Sequence, residues 1–404
     1  MKWTLAVLSV ALLSVSLAHG QGEFALKEIE IAEERASTVF WARGYLYKRP
    51  AGMFGGGELP ESEAQVMYLQ GNLGQHQVSG ALEMTEKPKL YLDSDGDNDL
   101  ADEEPVEGTS EKMENYPGQD PRELDFGVVA VTVKGLEQPM KVRISGRKYR
   151  EDYAYLRMRP ATALTGEVTL GGRKYNIQIM DGNQNGRYDD TFTSARRYDY
   201  DALMLDRDGE GEISHEGYFG GGEVIPLPGK LQFGEKWYTI SVAEDGSKVK
   251  LEPADPGYGK LEWGCADGEL TLISDAGYYK IGPGETEHRL PAGSYGGVAV
   301  ELRRTDDSGN EWSISSTWQT GELREFTIRE GETKSMNAGL PLSGKVTVQP
   351  RGRGNVSIGY AINGPAGEEY SAGATKRGRR QPAPKFKILN ESDEVVHTDK
   401  FEYG

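Results

Sequence analysis

One cysteine, Cys265, stands in 404 residues, which excludes an intramolecular disulfide as the device that holds the chain together. Beside Trp263 it reads as a small buried hydrophobe. Only five histidines occur. None stands in an HExxH or CxxC-type context, and there is no Gly-x-Ser-x-Gly elbow or phosphate-cradling glycine loop. Past residue 20 no stretch approaches the ~20 apolar residues a spanning helix needs, so no membrane span is expected. Basic charge is in deficit, with 46 Lys and Arg against 64 Asp and Glu and a formal net charge of −18. Such a surface repels nucleic acid and attracts divalent cations. Hydrophobic residues at 37%, with six Trp and 21 Tyr, argue for folded domains rather than disorder.

The first 20 residues, MKWTLAVLSVALLSVSLAHG, place one Lys before an apolar run and small residues after it. That pattern predicts a secretory signal peptide cleaved after Ala18 or Gly20. The expected location is therefore secreted, periplasmic or cell-surface. With no disulfide available, something else must brace the loops of an exported chain.

Fifty-three glycines and repeated apolar–polar alternation predict strands joined by tight turns. Val168 and Leu170 lead through Gly171-Gly172 to Tyr175, Ile177 and Ile179, a hairpin with a two-residue turn. A second hairpin runs from Tyr238, Ile240 and Val242 through Asp245-Gly246 to Val249 and Leu251. Further strands are expected at 128–133, 141–144 and 153–158. The stretch 24–41, FALKEIEIAEERASTVFW, has near-helical apolar spacing and is the one helix the pattern predicts. A Pro/Gly cluster at 253–259 predicts a boundary. The fold class expected is mainly β, as tandem immunoglobulin-like β-sandwich domains with calcium-binding loops: residues 21–255 with three acidic loops, then 260–404. A five-residue echo relates Phe54-Gly-Gly-Gly-Glu58 to Phe219-Gly-Gly-Gly-Glu223.

The acidic loops carry the chemistry. Calcium takes six to eight oxygen ligands, which a short loop supplies from positions 1, 3, 5, 7, 9 and 12. In the first loop Asp93, Asp95 and Asp97 fall at 1, 3 and 5, Asp99 offers a carbonyl at 7, and Glu104 falls at 12. The loop resembles that of EF-hand proteins, with Asn98 where glycine is usual at position 6. In the second, Asp181, Asn183 and Asn185 occupy 1, 3 and 5, Gly186 the turn and Arg187 the carbonyl position. Phe192 stands at 12, so either Asp189 or Asp190 substitutes by reaching back or the site borrows a carboxylate from elsewhere. In the third, Asp206, Asp208 and Glu210 are followed by Gly211, Glu212 at 7, Ser214 at 9 and Glu216 at 11, with Ile213 pinning the loop to its core. The second and third loops resemble those of dockerins and thrombospondin type 3 repeats. Strand and turn signals flank the loops, so the ion is expected as a brace between strands rather than a switch between helices.

The whole pattern resembles a group of exported bacterial β-rich proteins of uncharacterised function carrying such loops, which implies export and calcium binding. The function expected is a calcium-binding structural, adhesive or binding protein. The partners expected are calcium, together with a cell-envelope polysaccharide or another surface protein. A secreted carbohydrate-active or other hydrolase is the alternative, although no carboxylate pair is singled out. The basic segment 374–387 reads as a solvated hairpin loop, or as a grip on an acidic polysaccharide, a phosphate-rich envelope component or an acidic face of its own fold, and Trp312 and Trp318 as sandwich core.

Overall fold

The structure is a computed structural model. It describes residues 22–31, 42–47, 64–114, 121–193, 199–207, 209, 210, 213 and 223–401, apart from 98, 134, 135, 137, 151, 152, 285, 353 and 354. The expected signal peptide and Phe54–Glu58 lie outside these residues. Among those described the chain is built of strands, with one 3₁₀ turn at Gly321–Arg324, and no helix is long and apolar enough to cross a membrane. The mainly β class read from the alternation is what forms.

The helix expected over 24–41 does not form in its described part. β1 (Gly22–Ala25) and β2 (Lys27–Glu30) are extended. Phe24 and Leu26 pack on one core, and Ile29 and Ile31 on another. Ile31, the residue that breaks the helical stripe, is buried. The period of two wins because each strand has a sheet to join. Residues 32–41 lie outside the described residues.

The next nine strands are β3 (Ala42–Tyr47), β4 (Gln65–Leu73), β5 (His76–Met84), β6 (Lys89–Leu92), β7 (Val106–Glu107), β8 (Thr109–Lys112), β9 (Arg122–Val131), β10 (Met140–Arg150) and β11 (Tyr153–Pro160). They form one sheet, ordered β7-β6-β5-β4-β3-β11-β10-β9-β8. Its two ends, β7 and β8, are separated in sequence by Gly108 alone. They are halves of one bent strand, so nine strands close into a barrel of eight staves. The Gly108 N–H donates to the Pro88 carbonyl at 2.8 Å while Thr109 already pairs with Asp125 across the seam. Inward residues such as Leu69, Leu82, Ile144 and Leu156 fill the interior, as a barrel of this size requires.

The chain leaves the barrel through Ala161 into a sandwich made of β12 (Thr162–Leu170), β13 (Arg173–Met180), β14 (Ala202–Leu205), β15 (Val224–Pro226), β16 (Lys230–Phe233), β17 (Lys236–Val242) and β18 (Lys248–Ala254). β1 joins one of its sheets, β1-β18-β17-β16, and β2 the other, β15-β14-β13-β12-β2. The barrel is thus inserted between the second and third strands of the sandwich in chain order. Both predicted hairpins lie here, as β12–β13 and β17–β18. Gly171 and Gly172, at φ 58° and 85°, make the two-residue turn.

The Pro/Gly cluster leads into a third unit. Its strands are β19 (Tyr258–Glu262), β20 (Gly268–Ser274), β21 (Gly277–Ile281), β22 (Glu287–Pro291), β23 (Gly293–Thr305), β24 (Glu311–Ser315), β25 (Phe326–Ile328) and β26 (Thr333–Ser335). After the long hairpin β27 (Ser343–Gly352) and β28 (Asn355–Asn363) come β29 (Thr375–Lys376) and β30 (Arg379–Arg380), then the hairpin β31 (Lys385–Leu389) and β32 (Val395–Lys400). The sheets β22-β19-β26 and β21-β20-β23-β24-β29-β30 enclose a core of Trp263, Cys265, Tyr295 and Tyr370 among others. Ile273 and Tyr278 of this unit cover the outer face of the β12–β15 sheet. The two hairpins are tied by stacking of Tyr360 on Phe401, centroids 5.2 Å apart.

Closure of the barrel makes a prediction. A Cβ at Gly108 would lie 2.6 Å from the Phe126 ring and 2.8 Å from the Asp125 carbonyl, whereas one at Gly282 meets nothing within 4 Å. Gly108→Ala is expected to lower stability to urea by about 1–3 kcal/mol, against little change for Gly282→Ala.

Candidate functional site

All three acidic loops start at the same structural place. Asp93 follows β6, Asp181 follows β13 and Asp206 follows β14, each directly after a buried strand-ending residue, Leu92, Met180 or Leu205. The strand fixes the first carboxylate, and the chain then curls around it.

The curl is the same each time. The fourth residue is left-handed in every loop: Gly96 at φ 75°, Gln184 at 58° and Gly209 at 79°. This brings the Gly96 and Gly209 N–H groups onto the first carboxylate, at 2.9 Å from Asp93 Oδ1 and 2.8 Å from Asp206 Oδ1. In the second loop the Asn185 and Gly186 N–H groups reach Asp181 at 3.1 and 2.8 Å. From the spacing, the special backbone is expected at position 6. Gly186 is indeed left-handed at φ 82°, while residues 98 and 211 lie outside the described residues. The recurring turn is two residues earlier.

A second feature recurs that the spacing did not reveal. The second residue of each loop donates its N–H to a carboxylate arriving from downstream: Ser94 to Glu103 Oε1 at 2.5 Å, Gly182 to Asp201 Oδ1 at 3.1 Å, and Arg207 to Glu223 Oε1 at 2.6 Å. These closing carboxylates stand at loop positions 11, 21 and 18 counted from the first Asp. Glu104, expected at position 12, is exposed, and Glu103 turns inward instead. The only sequence trace of the others is Asp199-x-Asp201 just ahead of β14, and Glu223 at the end of the five-residue echo.

The first loop is the open one. One carboxylate oxygen each from Asp93, Asp95 and Asp97 lies within 4.8 Å of the other two. Oxygens bound at 2.3–2.6 Å to one calcium stand at most ~5 Å apart, so the triad fits a single ion. Ser79 Oγ donates to Asp93 at 2.9 Å, and Asp99 caps the Ala101 N–H at 2.9 Å. Leu100, just past these acids, is fully buried.

The second loop is closed and charged. Asp181 is 7% exposed and Asp201 is 0% exposed. Asn183 Nδ2 bridges Asp190 at 3.1 Å and Asp199 at 2.7 Å, and Asn185 Nδ2 reaches Asp190 at 2.6 Å. Of the two acids expected to replace position 12, Asp190 therefore faces the loop. Asp189 turns away to Arg187, whose side chain is exposed, and Phe192 is core. Burial, reinforced by the charge of Asp190, pushes the Asp181 carboxyl up to about 7 despite the N–H groups it accepts. Burial and then the Asp181 charge push Asp201 up to about 9. The neighbouring Tyr188 is raised to about 12 by burial and by Asp181.

This loop also joins two units. Gln184 Nε2 donates to the Met158 carbonyl of β11 at 3.1 Å. A Cβ on Gly74, at the β4–β5 turn of the barrel, would sit 2.7 Å from the carbonyl oxygens of Asn183 and Gln184. Asp181 and its neighbours are thus wedged between sandwich and barrel.

In the third loop Asp206 and Glu223 are buried at 3% and 8% exposure. Ile213 packs in the core beside Met204. Glu210 is exposed. Asp208, Glu212, Ser214 and Glu216 lie outside the described residues. The second and third sites are separate: Met180 pairs with Ala202 and Ile177 with Leu205, so the loops leave opposite ends of β13 and β14. Asp201 and Asp206 are five residues apart on an extended strand, roughly 16 Å at ~3.3 Å per residue, too far to share an ion.

Outside the loops, a groove of about 840 Å³ lies between β17–β18 and β19–β22, with Trp237, Tyr258 and Arg289 on its walls. Asp255 there caps the Gly257 N–H at 3.1 Å. No protein-family model matches the chain, and neither does any curated protein or solved structure.

Both Asp181 and Asp201 titrate higher in the folded chain than the ~3.9 of an unfolded Asp. Above that value the folded chain holds the extra protons, and stability falls as pH rises towards about 9. In chelator the melting temperature is expected to fall from pH 5 to pH 8, and Asp201→Asn to flatten the profile. Parallel profiles for the two proteins over that range would contradict this.

Proposed function

We propose that this is an exported calcium-binding structural or adhesive protein of the periplasm, cell surface or medium, in which calcium braces loops at strand ends. The observation that carries the reading is the buried pair Asp181 and Asp201 beside Asp190 and Asp199. Burying ionised carboxylates together is costly unless a cation neutralises them. Oxygen-only ligands on a curled loop suit calcium, while magnesium demands a tighter octahedron and gives up its water reluctantly. A half-turn of the Asn183 and Asn185 amides would exchange their donors for oxygen ligands.

The recurrence of the curl and of the closing carboxylate supports the same role at Asp93 and Asp206. The ion would act on each loop differently. At the first it would replace water on exposed acids beside the barrel seam, and at the second it would relieve repulsion at the junction of two units.

Calcium at a hundredfold excess over its dissociation constant stabilises the folded state by about 2.7 kcal/mol. At ~2–4 °C per kcal/mol the melting temperature is expected to rise by about 5–10 °C in calcium relative to chelator, and much less in magnesium. Asp181→Ala should remove most of the rise and Asp93→Ala part of it. Calorimetry in buffers of differing ionisation enthalpy should show proton release on binding at pH 7. A melt indifferent to calcium, in the wild type, would end the proposal.

A further inference from the structure

The basic segment 374–387 has six Lys and Arg and no carboxylate, in a chain of formal net charge −18. The fold does not leave it as a free loop. β29 pairs with β24 and β30 with β29, through a turn whose Arg377 and Gly378 are left-handed at φ 49° and 72°. The register then aligns residues from four successive strands. Arg304 pairs with Trp312, Trp312 with Lys376, and Lys376 with Arg379. Directly paired residues share a face, and at ~4.8 Å per strand the row is roughly 14 Å long.

The position of the row explains its composition. Leu302 and Ile314, two residues back on β23 and β24 and paired with each other, face the core of the third unit. Arg304 and Trp312 continue that inner face past the end of the core, where it meets solvent. Arg304 and Arg379 are exposed and Trp312 is half-buried, so Trp312 is a rim residue rather than the core residue the sequence predicts. The row is held rigidly. Trp312 Nε1 donates to Asp306 at 2.9 Å, Lys376 Nζ lies 5.0 Å from the indole centroid, and the same ammonium is 3.7 Å from Asp306.

We propose that this ledge binds an anionic polysaccharide, with uronate-type carboxylates on the exposed Arg304 and Arg379, Lys376 being balanced by Asp306, and the apolar face of a sugar ring against Trp312. Guanidinium forks match carboxylates in a bidentate geometry, and a fixed indole gives contact area at low entropic cost. An ordered row of this length suits a polymer segment better than a single ion. The site deepens the adhesive reading and shares no residue with the acidic loops.

The test is affinity electrophoresis of the full chain through gels containing hyaluronate or neutral dextran, in calcium-replete buffer at low salt. Retardation is expected in hyaluronate alone. The surface double variant R304E/R379E should abolish it, and Trp312→Ala should weaken it at least fivefold. Because Trp312→Ala risks local unfolding, the double variant is the deciding measurement, with its melting temperature as the folding control. Asp93→Ala/Asp181→Ala should still bind, which separates this site from the calcium reading. Overturning results are an unretarded wild type, a double variant retarded like the wild type, or binding to duplex DNA equal to that to hyaluronate and insensitive to Trp312→Ala.

Discussion

Two buried carboxylates, Asp181 and Asp201, set the terms for the rest of the molecule. Each is held by backbone N–H groups of the same loop: Asp181 by those of Asn185 and Gly186, Asp201 by those of Gly182 and Asp190. Those bonds fix the loop, and the loop is what the barrel rests on through Gln184 and Gly74. The connection between barrel and sandwich therefore runs over a patch of repelling charge. Raised carboxyl pKa values are one way for the chain to live with it, by holding protons. A bound cation, as proposed, would be another, and it would convert the same repulsion into cohesion between units.

Why the barrel needs such a support follows from chain order. It is inserted between β2 and β12, so it meets the sandwich through the strand that runs through Ala161 and through the N-terminal segment. Ile31 N–H to the Ala161 carbonyl at 3.0 Å and Ala161 N–H to the Lys141 carbonyl at 3.0 Å tie that crossing. Lys141 with Glu28 and Gln184 with the Met158 carbonyl also span the junction, and units joined in this way move relative to one another unless their interface is reinforced. The second loop sits where reinforcement has most effect.

Much of the fold was legible because alternation is a local signal. The hairpins at Gly171-Gly172 and Asp245-Gly246 follow from turn chemistry and from Tyr175, Ile177 and Ile179 on one face, and the first Asp of each loop follows from its short-range pattern. Non-local facts were not legible. Barrel closure depends on Gly108 letting one strand serve two edges, which no period reveals. Asp201 and Glu223 close loops that begin 20 and 17 residues earlier, so a 12-residue template passes them by. Over its described part, residues 24–31, the expected helix failed for the same reason, since what decides β1 and β2 is the sheet waiting for them more than 130 residues away.

The closing carboxylates change how the loops should be understood as a group. Position-by-position comparison makes the first loop regular and the other two defective, because Phe192 and the slipped Glu216 break the template. The folded arrangement makes them variants of one device: a strand end, a first Asp, a left-handed fourth residue, and a downstream carboxylate on the second N–H. What differs is how deeply the device is sunk. Exposed acids at Asp95 and Asp97 are already solvated, so an ion there must displace water to gain contact. Asp181, Asp201 and Asp206 have lost most of their water on folding, so an ion at the second loop would compete with bound protons rather than with water. Depth of burial, more than fidelity to the motif, therefore orders the loops by how strongly an ion would be coupled to folding, and it places the least regular loops above the most regular one.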